Sequence, residues 1–412
     1  MEGEITHSGI VYGVLPYIKS KASRNPKSVK MENSEKTQLK SSLSPLAYGN
    51  VKEGKQPDHF SYAMHLITSA SLSMVLYTAV KLKLFEIIAK AGPGAKLSPS
   101  KIASVLLKTK NPDASSMLDR MLRLLSSHSL LSCDVVEVAD GGAGGKNDVG
   151  YERVYGLSPV GEYFVPDEEG NSLAPTLELV QDKVLMDCWY ELGNAVLEGG
   201  IPFSRVHGTH VFDYCSRDPR FTDLFNKGMV GPTVITMKEL LHQYKGFENL
   251  QTLVDVGGGL GMSLHKIVSK YPSIRGINFD LPNVIENAPS YPGVEHIGGD
   301  MFESVPKGDA IFLKMILHNW SDDLCIQLLK NCFKALPDHG KVIVVDLILP
   351  VKPDNSALVK DIFQTDLFMM IQTPRGKERS EIDVRALAIA AGFEGIKFQC
   401  SVGAVWVLEL YK

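Results

Sequence analysis

A short apolar segment that runs into a cluster of glycines constrains the fold of this chain more than any other feature. The segment Leu253-Val-Asp-Val-Gly-Gly-Gly-Leu-Gly has the form of a buried strand that ends in a tight turn before a helix. Glycines let the backbone approach a bound molecule closely, and the free N–H groups of a helix start favour polar ligands. A GxGxxG dinucleotide motif would need glycine where the chain has Met262, so that site is disfavoured. A tight structural turn without a ligand stays open at this point.

Strand-like segments recur after this turn at the intervals typical of a parallel α/β sheet. Helical segments separate the earlier ones, and the last two are spaced as a C-terminal hairpin. Residues 231–412 are therefore predicted to form one sheet. The predicted strands are Leu253–Val256, Ile277–Phe279, Val294–Ile297, Ala310–Leu313, Val342–Leu347, Ile396–Gln399 and Val405–Leu410.

Charged side chains follow successive predicted strands at the same end. Asp280 closes the second strand, where a carboxylate can accept hydrogen bonds from both hydroxyls of a ribose. Asp300 and Met301 follow the third strand and offer one polar contact and one packing face for an adenine ring, and Lys314 closes the fourth. Either acid alone could be a loop cap. Together these strand ends converge on one crevice and indicate a nucleoside site.

A histidine lies on the loop after the fourth predicted strand, where a general base is expected. His318 precedes Trp320-Ser-Asp-Asp, which has the form of a helix start. Asp346, at the end of the fifth strand, and Glu378, in a polar loop, could each orient the imidazole and stabilise its protonated form. A structural histidine is the alternative for His318, and Glu378 could instead cap a helix that begins near Ser380.

The part of the chain before the sheet, residues 58–230, is predicted to be mostly helical and to contain a winged-helix submotif. A helix capped by Ser98 and a second helix from about Ala114 precede a two-stranded hairpin. The hairpin comprises Leu130–Val138, a glycine-rich tip at Gly141–Gly145, and Arg153–Leu157.

This shape raises the alternative of a DNA-binding regulator. However, the second helix has only Arg120 and Arg123 as basic residues, and apolar residues fill most of its other positions. The whole chain of 412 residues carries 43 Lys and Arg against 47 Asp and Glu, a net charge of −4. It therefore has no net positive charge with which to bind a polyanion such as DNA. A packing or dimerisation module without a nucleic-acid partner is the preferred interpretation.

Composition also bears on compartment and membrane. Residues 1–57 are rich in Ser, Lys and Asn and are predicted to be a flexible extension, in which Met31 is a second plausible start. Six cysteines without a CxxC pair argue against a disulfide scaffold and a cysteine-built zinc site, and they favour a reducing, cytoplasmic compartment. Tyr62–Val80 lacks charged residues but is too polar for a membrane span. Its apolar stripe predicts a helix of the core or of a dimer interface.

Taken together, these motifs resemble those of plant S-adenosylmethionine-dependent O-methyltransferases of the caffeic acid 3-O-methyltransferase type, from about Asp58 to Lys412. The resemblance implies an α/β protein with a mainly helical, winged-helix dimerisation domain at 58–230 and a Rossmann-like, seven-stranded methyltransferase domain at 231–412. It also implies a homodimer and S-adenosylmethionine as methyl donor. The segments that carry it are Gln181-Asp-Lys-Val-Leu-Met, Gly199-Gly-Ile-Pro-Phe, Phe225-Asn-Lys-Gly-Met, Leu253-Val-Asp-Val-Gly-Gly-Gly, Gly276-Ile-Asn-Phe-Asp-Leu-Pro, Tyr291-Pro-Gly-Val-Glu-His-Ile-Gly-Gly-Asp-Met-Phe and Gly376-Lys-Glu-Arg.

The resemblance assigns roles to individual residues. His318 is the expected general base towards a small phenolic hydroxyl, with Asp346 and Glu378 on either side of it. No metal is expected, because the crevice has no Cys/His cluster. Cofactor contacts are expected from Gly257, Asp280, Asp300, Met301 and Lys314, and an apolar slot for the aromatic ring from Val180, Met186, Phe225, Met229, Met369 and Thr373.

Five residues at four places depart from the pattern common in this family. Asn319 replaces Asp after the histidine, Asp346 replaces the first flanking Glu, Leu179-Val180 replaces Met-Asn, and Thr373 replaces Asn. The base is kept while the groups that would contact ring substituents have changed, so a phenolic acceptor other than caffeate is expected. An N-methyltransferase acting on an aromatic amine and a catalytically silent partner subunit are the alternatives.

Overall fold

The computed structural model describes residues 58–106, 110–139 and 149–412. The predicted flexible extension 1–57 and the predicted glycine-rich tip Gly141–Gly145 lie outside the described residues.

The chain divides into two units, Met1–Met64 and His65–Lys412. In the first, the carboxylate of Asp58 accepts hydrogen bonds from the backbone N–H groups of Phe60 and Ser61, at 3.2 and 3.3 Å, where a helix begins. The second unit contains most of the helical part and the whole sheet.

The segment predicted as one buried helix over Tyr62–Val80 is instead broken at Ser69. Helices His59–Thr68 and Ala70–Lys81 meet there at 47°, and in the second of them only Ala79 and Val80 are buried. Leu72, Val75 and Leu76 also pack against the buried core, so the expectation of a core helix is wrong only for the exposed residues 62–71, and packing in a dimer interface stays a prediction. Among the described residues no single helix is long and apolar enough to span a membrane, although this bent pair passes that test together by length and composition.

Two helices followed by an antiparallel hairpin form the predicted submotif. Strands β1 (Leu131–Ala139) and β2 (Val149–Leu157) pair in register from Leu131 opposite Leu157. The buried Tyr155 donates a hydrogen bond of 2.7 Å to Asp119 of the second helix, which ties the hairpin to it. The helices of the first part, after the bent pair, are Leu84–Lys90, Pro99–Val105, Ala114–Ser127, Pro159–Glu162, Ala174–Val180, Lys183–Met186, Leu192–Glu198, Pro202–His207, Val211–Arg217 and Pro219–Gln243, with a 3₁₀ turn at Asp187–Glu191.

The sheet confirms all seven strands predicted from the sequence. The strands are β3 (Thr252–Val256), β4 (Arg275–Asp280), β5 (Val294–Gly298), β6 (Ala310–Lys314), β7 (Lys341–Leu349), β8 (Arg379–Ser380), β9 (Gly395–Val402) and β10 (Val405–Tyr411). Their order in the sheet is β5-β4-β3-β6-β7-β10-β9; β3 to β7 are parallel, and β10 runs antiparallel to both β7 and β9. The eighth strand, β8, has two residues and pairs with β7; it was not predicted, because so short a segment has no periodicity.

Helices cover both faces of this sheet because successive strand residues point to opposite sides. Leu253 and Phe312 are buried with residues of Pro219–Gln243 and Met262–Lys270 on one face, and Val254 and Leu313 with helical residues on the other. The chain turns from β5 back to β6 beside β3, so the carboxyl ends of β3 and β6 border the switch point where ligands bind such sheets. The helices of the second part are Met262–Lys270, Pro282–Ile285, Asp322–Ala335, Ala357–Gln372 and Glu381–Ala391, and Leu317–Asn319 is a 3₁₀ turn.

The long helix Pro219–Gln243 joins the two parts and runs across residue 230, the predicted domain boundary. Its first half packs closely on Ala174–Val180, since a Cβ added at Gly228 would lie 2.8 Å from Leu179 Cδ2. Its second half contributes to the core under the sheet. We propose two domains, 58–230 and 231–412, which share this helix.

Candidate active site

The glycine turn after β3 has the backbone conformation that only glycine adopts easily. Gly257, Gly259 and Gly261 have φ angles of 70°, 58° and 83°, and Gly261 directly precedes helix Met262–Lys270. A Cβ at Gly257 would also lie 2.5 Å from the Cδ1 atom of Ile316, which follows β6. At Gly259 an added Cβ would meet nothing within 4 Å, so the turn is open on that side.

A buried asparagine, which sequence reasoning did not single out, holds this turn. The side-chain amide of Asn278 on β4 donates a 2.9 Å hydrogen bond to the carbonyl oxygen of Gly259. A Cβ at Gly258 would lie 2.1 Å from Asn278 Oδ1. That oxygen and Oδ2 of Asp255 are buried without a hydrogen-bond partner among the described residues. Buried polar atoms of this kind call for a partner, which a bound molecule can supply.

The two acids predicted to contact a nucleoside differ in environment. Asp280 ends β4 beside the glycine turn and accepts hydrogen bonds from the backbone N–H groups of Gly259 and Leu281, at 2.8 and 2.7 Å. Burial raises the pKa of Asp280, and these two hydrogen bonds oppose the rise. Asp300 is exposed and accepts a 2.8 Å hydrogen bond from the backbone N–H of Phe302, while Met301 is half-buried against the core.

Lys314 interacts electrostatically with one acid near the glycine turn and with another near His318. Lys314 ends β6, and its ammonium group donates a 3.1 Å hydrogen bond to the Thr233 hydroxyl on the long helix. Burial lowers the pKa of Lys314, while the charges of Asp255 and Asp346 act in the opposite direction. Asp255 lies towards the glycine turn and Asp346 towards His318, so the lysine stands between the predicted cofactor and base residues.

His318 and Glu378 form a buried pair. The imidazole is 8% exposed, the carboxylate of Glu378 is 2% exposed, and the His318 Nδ1–H donates to Glu378 Oε1 at 2.7 Å. Burial by itself would lower the pKa of His318, but the hydrogen bond and charge of Glu378, with the charge of Asp346, raise it. Because Nδ1 keeps its proton in the hydrogen bond to Glu378, the neutral ring has Nε2 free to accept a proton.

The two predicted flanking acids therefore act differently. Glu378 holds the ring and is not a helix cap, because Ser380 and Asp383 form the capping box of helix Glu381–Ala391. Asp346 is buried, its Oδ1 has no hydrogen-bond partner among the described residues, and burial raises its pKa to about 7 against the charges of His318 and other groups. Asp346 influences His318 through its charge.

Of the predicted substrate residues, Phe225 belongs to an apolar cluster, and the others lie on or just after helices. Phe225 packs with this cluster, which includes Leu179, Leu185 and Ile371. Val180 and Met186 end short helices, and Met229 is 43% exposed on the long helix. Thr373 is buried just after helix Ala357–Gln372, and its hydroxyl donates a 2.8 Å hydrogen bond to the carbonyl of Met369 one turn earlier.

Sequence reasoning missed two residues that hold Glu378 and the turn around His318. Asp366 accepts a 2.8 Å hydrogen bond from the backbone N–H of Glu378, and Arg379 donates to the carbonyl groups of Leu317 and Trp320 around His318. A buried arginine next to a predicted catalytic acid could have drawn attention to Arg379, but nothing in the local sequence indicates its burial. No group of three or more His, Cys, Asp or Glu among the described residues could hold a metal ion.

A Rossmann-like sheet with an open glycine turn and a buried His–Glu pair at the same edge defines an enzyme with the methyltransferase fold. Comparison with known protein families identifies the family to which the chain belongs. The family model described as an O-methyltransferase domain matches residues 189–394, and the model described as an O-methyltransferase dimerisation domain matches residues 64–167. The chain belongs to this O-methyltransferase family and is an O-methyltransferase.

Individual relatives cover nearly the whole described chain. Catechol O-methyltransferase 1 of Solanum lycopersicum is 56% identical, with 85% of this chain and 95% of its own length matched. Caffeic acid 3-O-methyltransferase of Prunus dulcis is 55% identical, with 85% and 94% matched. Among solved structures, human N-acetylserotonin methyltransferase in complex with S-adenosylmethionine has the same fold, with a TM-score of 0.70, 20% identity, and 87% of this chain and 99% of that chain covered.

Proposed function

We propose that the protein transfers the methyl group of S-adenosylmethionine to a hydroxyl of a small phenolic acceptor, with His318 as the general base. The observation that carries the proposal is the buried His318–Glu378 hydrogen bond of 2.7 Å at the sheet edge where the glycine turn lies. The relatives named as catechol and caffeic acid O-methyltransferases support the phenolic acceptor.

The residues at this edge fit the proposed cofactor. The glycine turn is open at Gly259, and the buried oxygens Asp255 Oδ2 and Asn278 Oδ1 beside it need a partner. When bound, S-adenosylmethionine supplies an electrophilic methyl group on a sulfonium centre. The residues that we propose to hold it are Gly257, Asp280, Asp300, Met301 and Lys314.

The chemistry of the base follows from its partner. A phenol has a pKa of about 10 and an imidazole of about 6.5, so full removal of the proton before the transfer would be uphill. Glu378 raises the pKa of His318 and thereby reduces this mismatch. We infer that Nε2 takes the hydroxyl proton as the new O–C bond forms, while Glu378 and Asp346 stabilise the resulting imidazolium.

The acceptor slot and the assembly are part of the same proposal. An aromatic ring would lie against the apolar cluster of Phe225, where Val180 offers no hydrogen bond and the buried Thr373 hydroxyl, which donates to Met369, could only accept one. This favours a phenolic acceptor other than caffeate. The dimerisation-domain match supports a homodimer. The residues that we propose to border the slot are Val180, Met186, Phe225, Met229, Met369 and Thr373.

Methyl transfer from labelled S-adenosylmethionine to a panel of catechols, hydroxycoumarins, flavonoids, indoles and aromatic amines tests the proposal. We expect wild-type protein to methylate a phenolic hydroxyl, and His318→Ala to lose about 10²–10⁴-fold in rate while binding S-adenosylhomocysteine normally. Turnover in the variant within twofold of wild type would refute the base. Transfer only to amines would refute the hydroxyl acceptor, and cofactor binding without any transfer would favour a catalytically silent subunit.

A further inference from the structure

We propose that Arg379 is a positioning residue for methyl transfer, which fixes the backbone turn that carries His318. The proposal rests on the proposed function only in taking His318 as the base. Arg379 is 3% exposed, and two arms of its guanidinium group point to this turn. Its Nη1 donates to the carbonyl oxygen of Leu317 at 2.6 Å, and its Nη2 donates to that of Trp320 at 2.8 Å.

The two carbonyl groups stand on either side of the histidine in the chain. Leu317 precedes His318 directly, and Trp320 follows two residues later, at the end of the 3₁₀ turn Leu317–Asn319. A planar guanidinium presents several N–H donors in a rigid fork, so it fixes the separation of two acceptors in a way that a single ammonium cannot. Arg379 therefore sets the position of the peptide groups between which the His318 side chain projects.

The neighbours of Arg379 contact the same turn. A Cβ at Gly376 would lie 2.7 Å from the carbonyl oxygen of His318, so the segment approaches the turn closely there. Glu378 binds the imidazole itself, and Arg379 begins β8, which pairs with Ile348 of β7. Consecutive residues thus hold the backbone of the turn and the ring that it carries. A shift of Arg379 would change the distance between His318 and Glu378.

The carboxylate of Asp322 balances the charge of Arg379. Its Nε and Nη2 atoms donate to Oδ1 of Asp322, the first residue of the next helix, at 3.1 and 2.8 Å. A buried guanidinium without such partners would be strongly destabilising. The contacts with Asp322 therefore allow this charge to be buried beside the turn. Burial raises the pKa of Asp346, and the charge of Arg379 is among the groups that oppose this rise.

Arg379→Met removes the fork at similar side-chain length, and Arg379→Lys keeps the charge without the fork. Arg385→Met is the matched control, because the side chain of Arg385 is 42% exposed and pairs with Glu381 on a helix surface. For each variant we would measure kcat, the KM of the acceptor, the affinity for S-adenosylhomocysteine, and the low-field proton NMR signal of the His318 Nδ1–H. His318→Ala identifies that signal.

We expect Arg379→Met to lower kcat by roughly 10–100-fold, as small displacements of catalytic groups do, while affinity for S-adenosylhomocysteine stays within threefold. The Nδ1–H signal should broaden or disappear, Arg379→Lys should recover part of kcat, and Arg385→Met should match wild type. A kcat within threefold of wild type with the signal kept would overturn the proposal. So would a loss of cofactor affinity as large as the loss of kcat.

Two further outcomes are decisive. If Arg379→Met does not fold, Arg379→Lys is the test, and wild-type kcat in that variant overturns the role of the fork. If wild-type protein methylates no phenol, the proposed function fails separately, and the NMR signal alone tests Arg379. An unchanged Nδ1–H signal in the methionine variant then refutes the positioning role.

Discussion

Replacing Glu378 by Gln tests how the buried acid controls the base. The substitution keeps the size of the side chain but removes the negative charge that accepts the His318 Nδ1–H at 2.7 Å. Both residues are buried, so water cannot replace the lost charge. A glutamine can also donate its amide N–H to Nδ1. That arrangement moves the ring proton to Nε2, the atom proposed to accept the proton of the substrate.

The size of the effect follows from the hydrogen bond. A hydrogen bond to a charged group contributes about 1.5–3 kcal/mol. Glu378 raises the pKa of His318 in the folded protein, so its loss should lower that pKa. In Ser-His-Asp triads the corresponding amide substitution lowers kcat about 10⁴-fold through the wrong tautomer. We expect a loss of about 10²–10⁴-fold here.

The assay is the pH dependence of kcat with a saturating phenolic acceptor. The acidic limb, where His318 becomes protonated and inactive, should move to lower pH in Glu378→Gln, because the acid that raises the pKa of His318 is gone. Glu381→Gln is the control, because Glu381 is exposed and binds Arg385 on a helix surface. An unmoved acidic limb together with a kcat within threefold of wild type would refute the reasoning.

Three other predictions follow from the same geometry. Gly257→Ala should weaken S-adenosylhomocysteine binding at least tenfold in calorimetry, because a Cβ there meets Ile316 and strains a φ of 70°; unchanged affinity would contradict it. Burial raises the pKa of Asp346 from 3.8 to about 7, so folding binds a proton there and the resulting stability is lost as pH rises towards 7. Asp346→Asn should therefore melt above wild type at pH 8, with a smaller difference at pH 5, and a lower melting temperature at pH 8 would refute this. EDTA should leave methyl transfer unchanged, and a loss restored by added metal would show that a metal takes part.

Much of the sheet was predictable because its signals are local. Alternation of apolar residues, glycines after β3 and acids at strand ends each depend on a few neighbouring residues, so all seven predicted strands were confirmed. Two errors show where local signals fail. The helix over Tyr62–Val80 breaks at Ser69, and β8 has only two residues.

The cofactor and substrate residues were predicted by type and order, while their partners were not. The sequence predicts that Asp280, Lys314 and His318 meet at one edge, because parallel strands align their carboxyl ends. It does not predict that Lys314 donates to Thr233, which lies 81 residues earlier on the long helix Pro219–Gln243. Contacts of that kind depend on how helices pack on the sheet.

The amino-acid sequence by itself therefore determined the fold class, the glycine turn and the choice of His318 as the proposed base. A positive φ, a strand period of two or a helix cap is decided by residues within one turn of each other. Only the tertiary structure decided that Glu378, 60 residues from His318, holds its ring while Asp346 acts through charge, and that Arg379 is buried against the same turn. The distances between such side chains depend on how several helices and strands pack against one another, and no local sequence pattern encodes that packing.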